Sequence, residues 1–143
     1  MRDKLTASID EDSAAFEDVM NAMKLPKETP EEIAARNAQI QSATRHATIV
    51  PLHTARLCLE ALGLIHFVAA NGNINAMSDA ASAAFMARAA IDAAGMNVRI
   101  NAASLEDKAA AKRSVEELRT IQSQAADRIE KVLAEVEKRA ALA

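Results

Sequence analysis

The chain has 143 residues, enough for one domain, and a formal charge of −3. That balance excludes the strongly basic footprint of a nucleic-acid binder and argues against a membrane-surface protein. Half the residues are apolar but only 2% are aromatic, and about a quarter are alanine, so each buried side chain contributes little area. A core of this kind is thin and is completed by oligomerisation.

Three glycines and three prolines leave few punctuation points, so the elements are few and long. Cys58 is the single cysteine, in an apolar run, which excludes an internal disulfide and reads as a buried small hydrophobe. Residues 1–12 are charged and carry no signal-peptide pattern, and the most apolar run, Leu57 to Ala70, is short for a bilayer span. These features predict a soluble cytoplasmic protein.

Residues 2–24 read as a first helix. Leu5, Ile9, Phe16, Val19, Met20 and Met23 fall three to four apart and form its expected core face. Asp12 precedes Phe16 by four residues, so it lies on that apolar side, at a rim or in a site. Pro26 ends the helix at Leu25. Thr29, Pro30 and Glu32 then form a helix-start signature with a capping box.

Residues 30–70 read as helical with one fault, a kink or break near Thr48–Pro51. Leu52, Leu57, Leu59, Leu62, Ile65 and Phe67 surround the part after it, as in a central helix. Gly72 ends it by tolerating left-handed geometry. Asn75 or Ser78 caps an alanine-rich helix that runs to about Asn101, weakened locally by Gly95. Ser104, with Asp107 three residues on, starts a last helix to about Ala140. There Val115, Leu118, Ile121, Ala125, Ile129, Val132 and Val136 form one apolar stripe, and Glu135 with Arg139 forms a surface pair. The expected fold is all-α: a single domain over 1–143, a bundle of about five helices around a long Pro-kinked one.

His46, His53 and Glu60 recur at seven-residue intervals, about 10 Å apart on a straight helix, too far to share a metal. No metal site is expected. Cys58 has no electropositive neighbour, Ser78 has no histidine placed by sequence, and no phosphate-binding glycine loop occurs. What remains is acid–base chemistry and amide recognition by Asp12, Asp79, Asn73, Asn97 and Asn101. Ser78 and Asp79 equally suit a helix start. Asp79 and Asn97 share a helix face about 27 Å apart, so a site using both needs a long ligand or a second subunit.

Several stretches occur together in order: Asp10-Glu11-Asp12 with Phe16, Leu25-Pro26-Lys27 with Thr29 and Glu32, Arg36, Gln41, Val50-Pro51-Leu52, Gly72-Asn73, Ser78-Asp79, and Asn97-Val98-Arg99-Ile100-Asn101. The ordered set resembles the cyclodeaminase domain of formiminotransferase-cyclodeaminase and the bacterial methenyltetrahydrofolate cyclohydrolases of the same family. The resemblance implies an all-helical dimer that binds a tetrahydrofolate derivative near the subunit interface. It implies one of two reactions: closure of a formimino group to the methenyl form with loss of ammonia, or reversible hydration of the methenyl bridge to a formyl group.

On that resemblance Asp79 is the first candidate for the catalytic carboxylate and Asp12 the second. Asn73, Ser78, Asn97 and Asn101 orient the ligand, and Lys27 and Arg99 meet its glutamate tail. The family pattern carries a Pro-Gly-Gly-Gly-Ser turn ahead of the Asp10 motif, and Met1 stands just before that motif. A short form or a fragment would expose the faces of 2–24 and 52–70. The alternative expectation is therefore a non-catalytic helical binding module, or a piece that needs a partner chain.

Overall fold

The capping box expected at Thr29 forms. In the computed structural model Thr29 Oγ1 accepts the Glu32 N–H at 3.2 Å, the Glu32 carboxylate accepts the Thr29 N–H at 3.2 Å, and Pro30 occupies the first turn. Two orphan donors are thereby satisfied at the start of the longest helix. The structure describes residues 1–141. Within them the helices are α1 (Arg2–Met23), α2 (Pro30–Asn71), α3 (Met77–Ala103) and α4 (Lys108–Ala140), with a 3-10 turn at Ile74–Ala76.

Of the kink or break expected near Thr48–Pro51, the break does not occur: α2 is continuous over 42 residues with Pro51 inside it. The five expected helices are therefore four α-helices and one short turn. Pro51 deprives the Ala47 carbonyl of its helical donor. The Asn101 side-chain amide of α3 donates to that carbonyl at 2.7 Å instead. The orphaned acceptor is satisfied from outside, so the helix need not open.

α2 is the hub. α3 and α4 pack on it and on each other, and α1 lies chiefly against α2. The main core joins Leu52, Leu59 and Leu62 of α2 to Ile91 and Val98 of α3 and to Leu118, Ile121, Ile129, Val132 and Val136 of α4. The α4 stripe is buried as expected, except that Val115 is half-buried. By length and composition α2 holds a stretch apolar enough to cross a membrane, which the run Leu57–Ala70 did not lead us to expect. Half of that stretch is buried inside the bundle, as in a core helix.

α1 packs only partly as expected: Leu5 and Val19 of the expected face pack against the core, and the rest of that face turns outward. The buried residues of α1 are Ser8, Ala15 and Ala22, seven apart, and Ala15 is set against Ala47 and Val50 of α2. Ile9 and Phe16 are each 65% exposed, and Met20 and Met23 also face outward. Small residues permit close approach of the two backbones, and the large ones are left for another surface. Arg36 ties down the end of α1 by donating to the Met23 carbonyl from Nε (3.3 Å) and Nη2 (3.1 Å).

The remaining ends differ in detail from the sequence reading. Gly72 has φ −80°, not left-handed. Its lack of a side chain matters because a Cβ there would stand 2.6 Å from the Val68 carbonyl oxygen. Asn73, not Asn75 or Ser78, supplies the cap, accepting the Asn75 N–H at 3.0 Å, and α3 has no side-chain cap. Asp107 rather than Ser104 caps α4, accepting the Ala110 N–H at 2.9 Å. Arg139 does not pair with Glu135. It donates to the carbonyls of Ala69 (2.6 Å) and Gly72 (2.8 Å), closing the end of α2. α3 runs through Gly95 unbroken. Gly95 is buried where α3 meets α4, and a Cβ would stand 3.1 Å from Leu118 Cδ1.

Candidate active site

A cleft of about 340 Å³ opens between α1, α2 and α3. Pro51 and Thr54 contribute from α2, Ala90, Ala93, Ala94 and Asn97 from α3, and Leu5, Ser8, Ile9, Asp12 and Ser13 from α1. The alanines of α3 and the ring of Pro51 present no polar side-chain atoms. The hydroxyls are already donating within their own helices: Ser8 to the Lys4 carbonyl (3.0 Å), Ser13 to Ile9 (3.0 Å) and Thr54 to Val50 (3.3 Å). Asp12 and Asn97 are thus the lining groups whose polar side chains make no hydrogen bond or ion pair among the described residues. One carboxylate and one amide, from different helices, face a cleft that is otherwise mostly apolar.

The other sequence candidates fall elsewhere. Asp79 is exposed in the first turn of α3, where its charge complements the helix dipole. It borders a separate, almost wholly apolar groove of about 260 Å³ with Leu64, Ile65 and Val68. Ser78 is exposed beside it, and Asn73 is engaged as the cap of the 3-10 turn. Asn101 is half-buried and spends its amide on Ala47. Lys27 is exposed in the connection between α1 and α2. Arg99 points to the other side of α3, toward α4, where Nη2 donates to Gln122 Oε1 at 2.8 Å. The structure therefore brings Asp12 and Asn97 together and separates both from Asp79, Asn73, Ser78, Lys27 and Arg99 within one chain.

Two features escaped the sequence. Pro51 reads as a fault in a helix, yet it forms part of the cleft wall beside the Asn101 brace. Asp18 and His46 approach to 4.0 Å across a second cleft between α1 and α2, a pairing that no single-helix spacing announces. Cys58 is buried, as expected of a small hydrophobe, and burial pushes its thiol up.

An all-helical scaffold with an acid–amide cleft where three helices converge is the class that fold and site define. The sequence model of formiminotransferase-cyclodeaminase matches residues 1–120. The chain belongs to that family. It is 44% identical over 125 residues to a methenyltetrahydrofolate cyclohydrolase of Methylorubrum extorquens, covering 87% of this chain and 60% of the relative. It is 34% identical over 139 residues to the formimidoyltransferase-cyclodeaminase of Sus scrofa, covering 97% of this chain and 24% of that protein. The crystal structure of a formiminotetrahydrofolate cyclodeaminase from Thermotoga maritima superposes with a TM-score of 0.80 at 26% identity, over 92% of this chain and 62% of that one. The chain thus spans about 60% of the cyclohydrolase and less of the two-function enzyme.

Proposed function

We propose that this protein interconverts one-carbon groups on reduced folate, as a methenyltetrahydrofolate cyclohydrolase or a formimidoyltetrahydrofolate cyclodeaminase, with Asp12 as the acid–base group and Asn97 as the orienting amide. The observation that carries this reading is the pair of unengaged polar groups, Asp12 and Asn97, across one cleft. Family membership and the activities for which the relatives are named supply the substrate class.

The chemistry suits those groups. The methenyl carbon is held between two nitrogens and is electrophilic. In hydration, water adds to that carbon while the Asp12 carboxylate takes a proton from it. The same carboxyl returns the proton to the nitrogen that leaves, the added hydroxyl gives up its own proton to solvent, and the bridge opens to a formyl group. In the deaminating direction the second nitrogen, outside the pterin ring, adds to the formimino carbon and its proton passes to the imine nitrogen; Asp12, protonated, delivers the further proton with which ammonia departs. Either way the carboxylate borders a mostly apolar cleft in which the cationic centre would sit, and it favours that centre by its charge. The Asn97 amide offers both donor and acceptor to the polar edge of the pterin. A cleft of about 340 Å³ is within the ordinary range for a small-molecule site.

The functional unit in this reading is a homo-oligomer. Phe85, Ala89, Ala93, Met96 and Ile100 form one exposed stripe on α3, and Ile9, Phe16, Met20 and Met23 form another on α1. Both border the Asp12 cleft through Ile9 and Ala93. A second copy covering these stripes would also close the cleft from solvent.

The test is the rate of loss of methenyltetrahydrofolate absorbance, corrected for the buffer reaction. Asp12→Asn should lower kcat at least about 100-fold, the usual contribution of a positioned acid–base group. Unchanged kcat in a folded Asp12→Asn protein would remove Asp12 from the reaction.

A further inference from the structure

A further cleft, of about 400 Å³, lies between the end of α3 and the first three turns of α4. Its charged lining is Arg99, Lys108, Lys112 and Arg119 against the single carboxylate of Glu116. Four cations and one anion leave it formally +3, on a chain whose total is −3. The rest of the lining is alanine and valine.

Two of the four cations are held in place. Arg99 is held by Gln122 at 2.8 Å, and Gln122 is itself held by Asp92, to which its Nε2 donates at 2.9 Å. Lys108 Nζ is anchored by the Leu105 carbonyl at 2.7 Å. Glu116 reaches Lys112 only at 3.7 Å, with both side chains mostly exposed, so it neutralises little. Arg119 makes no ion pair or side-chain hydrogen bond among the described residues. The positive end of the α4 dipole adds to the field. Asp107 caps that helix end, but it faces Arg45 at 3.8 Å, in a different cleft.

We propose that this cleft binds a small polyanion with several negative groups in a row. The cations are strung along α4 over about 16 Å from Lys108 to Arg119, which favours an extended anion over a point ion. The shared ligand chemistry is clustered phosphate or carboxylate oxygens, which guanidinium and ammonium groups meet by charge-assisted hydrogen bonds. The site lies on the opposite side of α3 from Asn97 and stands whether or not the folate reading holds.

Tripolyphosphate, citrate and orthophosphate, titrated calorimetrically into the full chain at low and physiological salt, test this. Tripolyphosphate or citrate should bind at least about tenfold more tightly than orthophosphate. The tighter of the two identifies phosphate or carboxylate as the source. Lys112→Gln with Arg119→Gln should weaken binding about tenfold or more while methenyl turnover stays unchanged. Lys131→Gln with Lys138→Gln, which removes the same charge at the far end of α4, should change it less than twofold. Equal losses in the two double variants, or no preference for the polyvalent anions, would overturn the proposal.

Discussion

The side-chain amide of Asn101 lies 2.7 Å from the Ala47 carbonyl, the acceptor that Pro51 leaves without a helical donor. A side chain of α3 thus repairs a defect in α2, one turn along from Asn97 and beside the cleft wall that Pro51 forms. The two residues are coupled, and the coupling is measurable. Asn101→Ala should destabilise the protein by about 1–3 kcal/mol, because a buried carbonyl loses its partner. In a Pro51→Ala background the restored N–H can serve Ala47, so the same substitution should cost about 1 kcal/mol less. Urea denaturation of the four proteins closes the cycle, and strictly additive losses would show that Asn101 does not serve the proline defect.

The approach of α3 to α4 sets a second expectation. An alanine Cβ at position 95 would meet Leu118 Cδ1 at 3.1 Å and Gln122 Nε2 at 3.3 Å. Leu118 is fully buried and Gln122 is tied to Asp92, so neither can yield freely. Gly95→Ala should therefore cost about 1–3 kcal/mol of overpacking, more than its gain of about 1 kcal/mol in helix propensity. Gly95→Ala with Leu118→Val should recover part of the loss in thermal melts.

Much of the scaffold was legible in the sequence. The Thr29 capping box, the α4 stripe and the all-helical class follow from local patterns that tertiary packing did not override. Only part of the α1 face was legible, Leu5 and Val19 packing inward as expected, because periodicity identifies an apolar face without saying which neighbour covers it. Its alanines met α2, and Ile9 and Phe16 were left outside. Arg36, Gln41 and Asn101, each part of the family likeness, turn out to act as tethers. Arg36 holds the Met23 carbonyl. Gln41 donates to the Ser104 carbonyl at 3.2 Å and accepts the Glu106 N–H at 2.8 Å, while Asn101 holds Ala47. These contacts span up to 65 positions in sequence, beyond any local spacing rule. Asp79 and Asp12 are both acids in matching motifs, and nothing in sequence spacing says which of them shares a cleft with Asn97. Only the packing of α1 on α2 places Asp12 opposite Asn97.

Acid should loosen the start of α4. The Ala110 backbone N–H, then the charges of Arg113 and Arg45, hold the Asp107 carboxyl below its ordinary value. A carboxyl lowered in the folded state stabilises above its unfolded value near 3.9, and that stabilisation is lost as pH falls through the lower folded value. Asp107→Asn keeps a cap oxygen but no titrating charge, so its melting temperature should fall less steeply below about pH 4 than that of the parent. Parallel slopes in the two proteins would remove Asp107 from the acid limb.

The exposed apolar stripes make a prediction about assembly. Sedimentation at micromolar concentrations should show an oligomer. Phe16→Glu with Phe85→Glu should shift it to smaller species without loss of helical circular dichroism, since both rings are more than half exposed. A parent protein that stays monomeric at the highest concentration would contradict the covered-cleft arrangement.

The most direct test of the central claim compares two aspartates in one assay. Methenyltetrahydrofolate turnover is measured for the parent, Asp12→Asn and Asp79→Asn, each confirmed folded by its melting curve. The account predicts a loss of at least about 100-fold in kcat for Asp12→Asn and less than about threefold for Asp79→Asn. Loss of turnover in Asp79→Asn with Asp12→Asn left active would move the reaction to the other end of α3 and contradict the site described above.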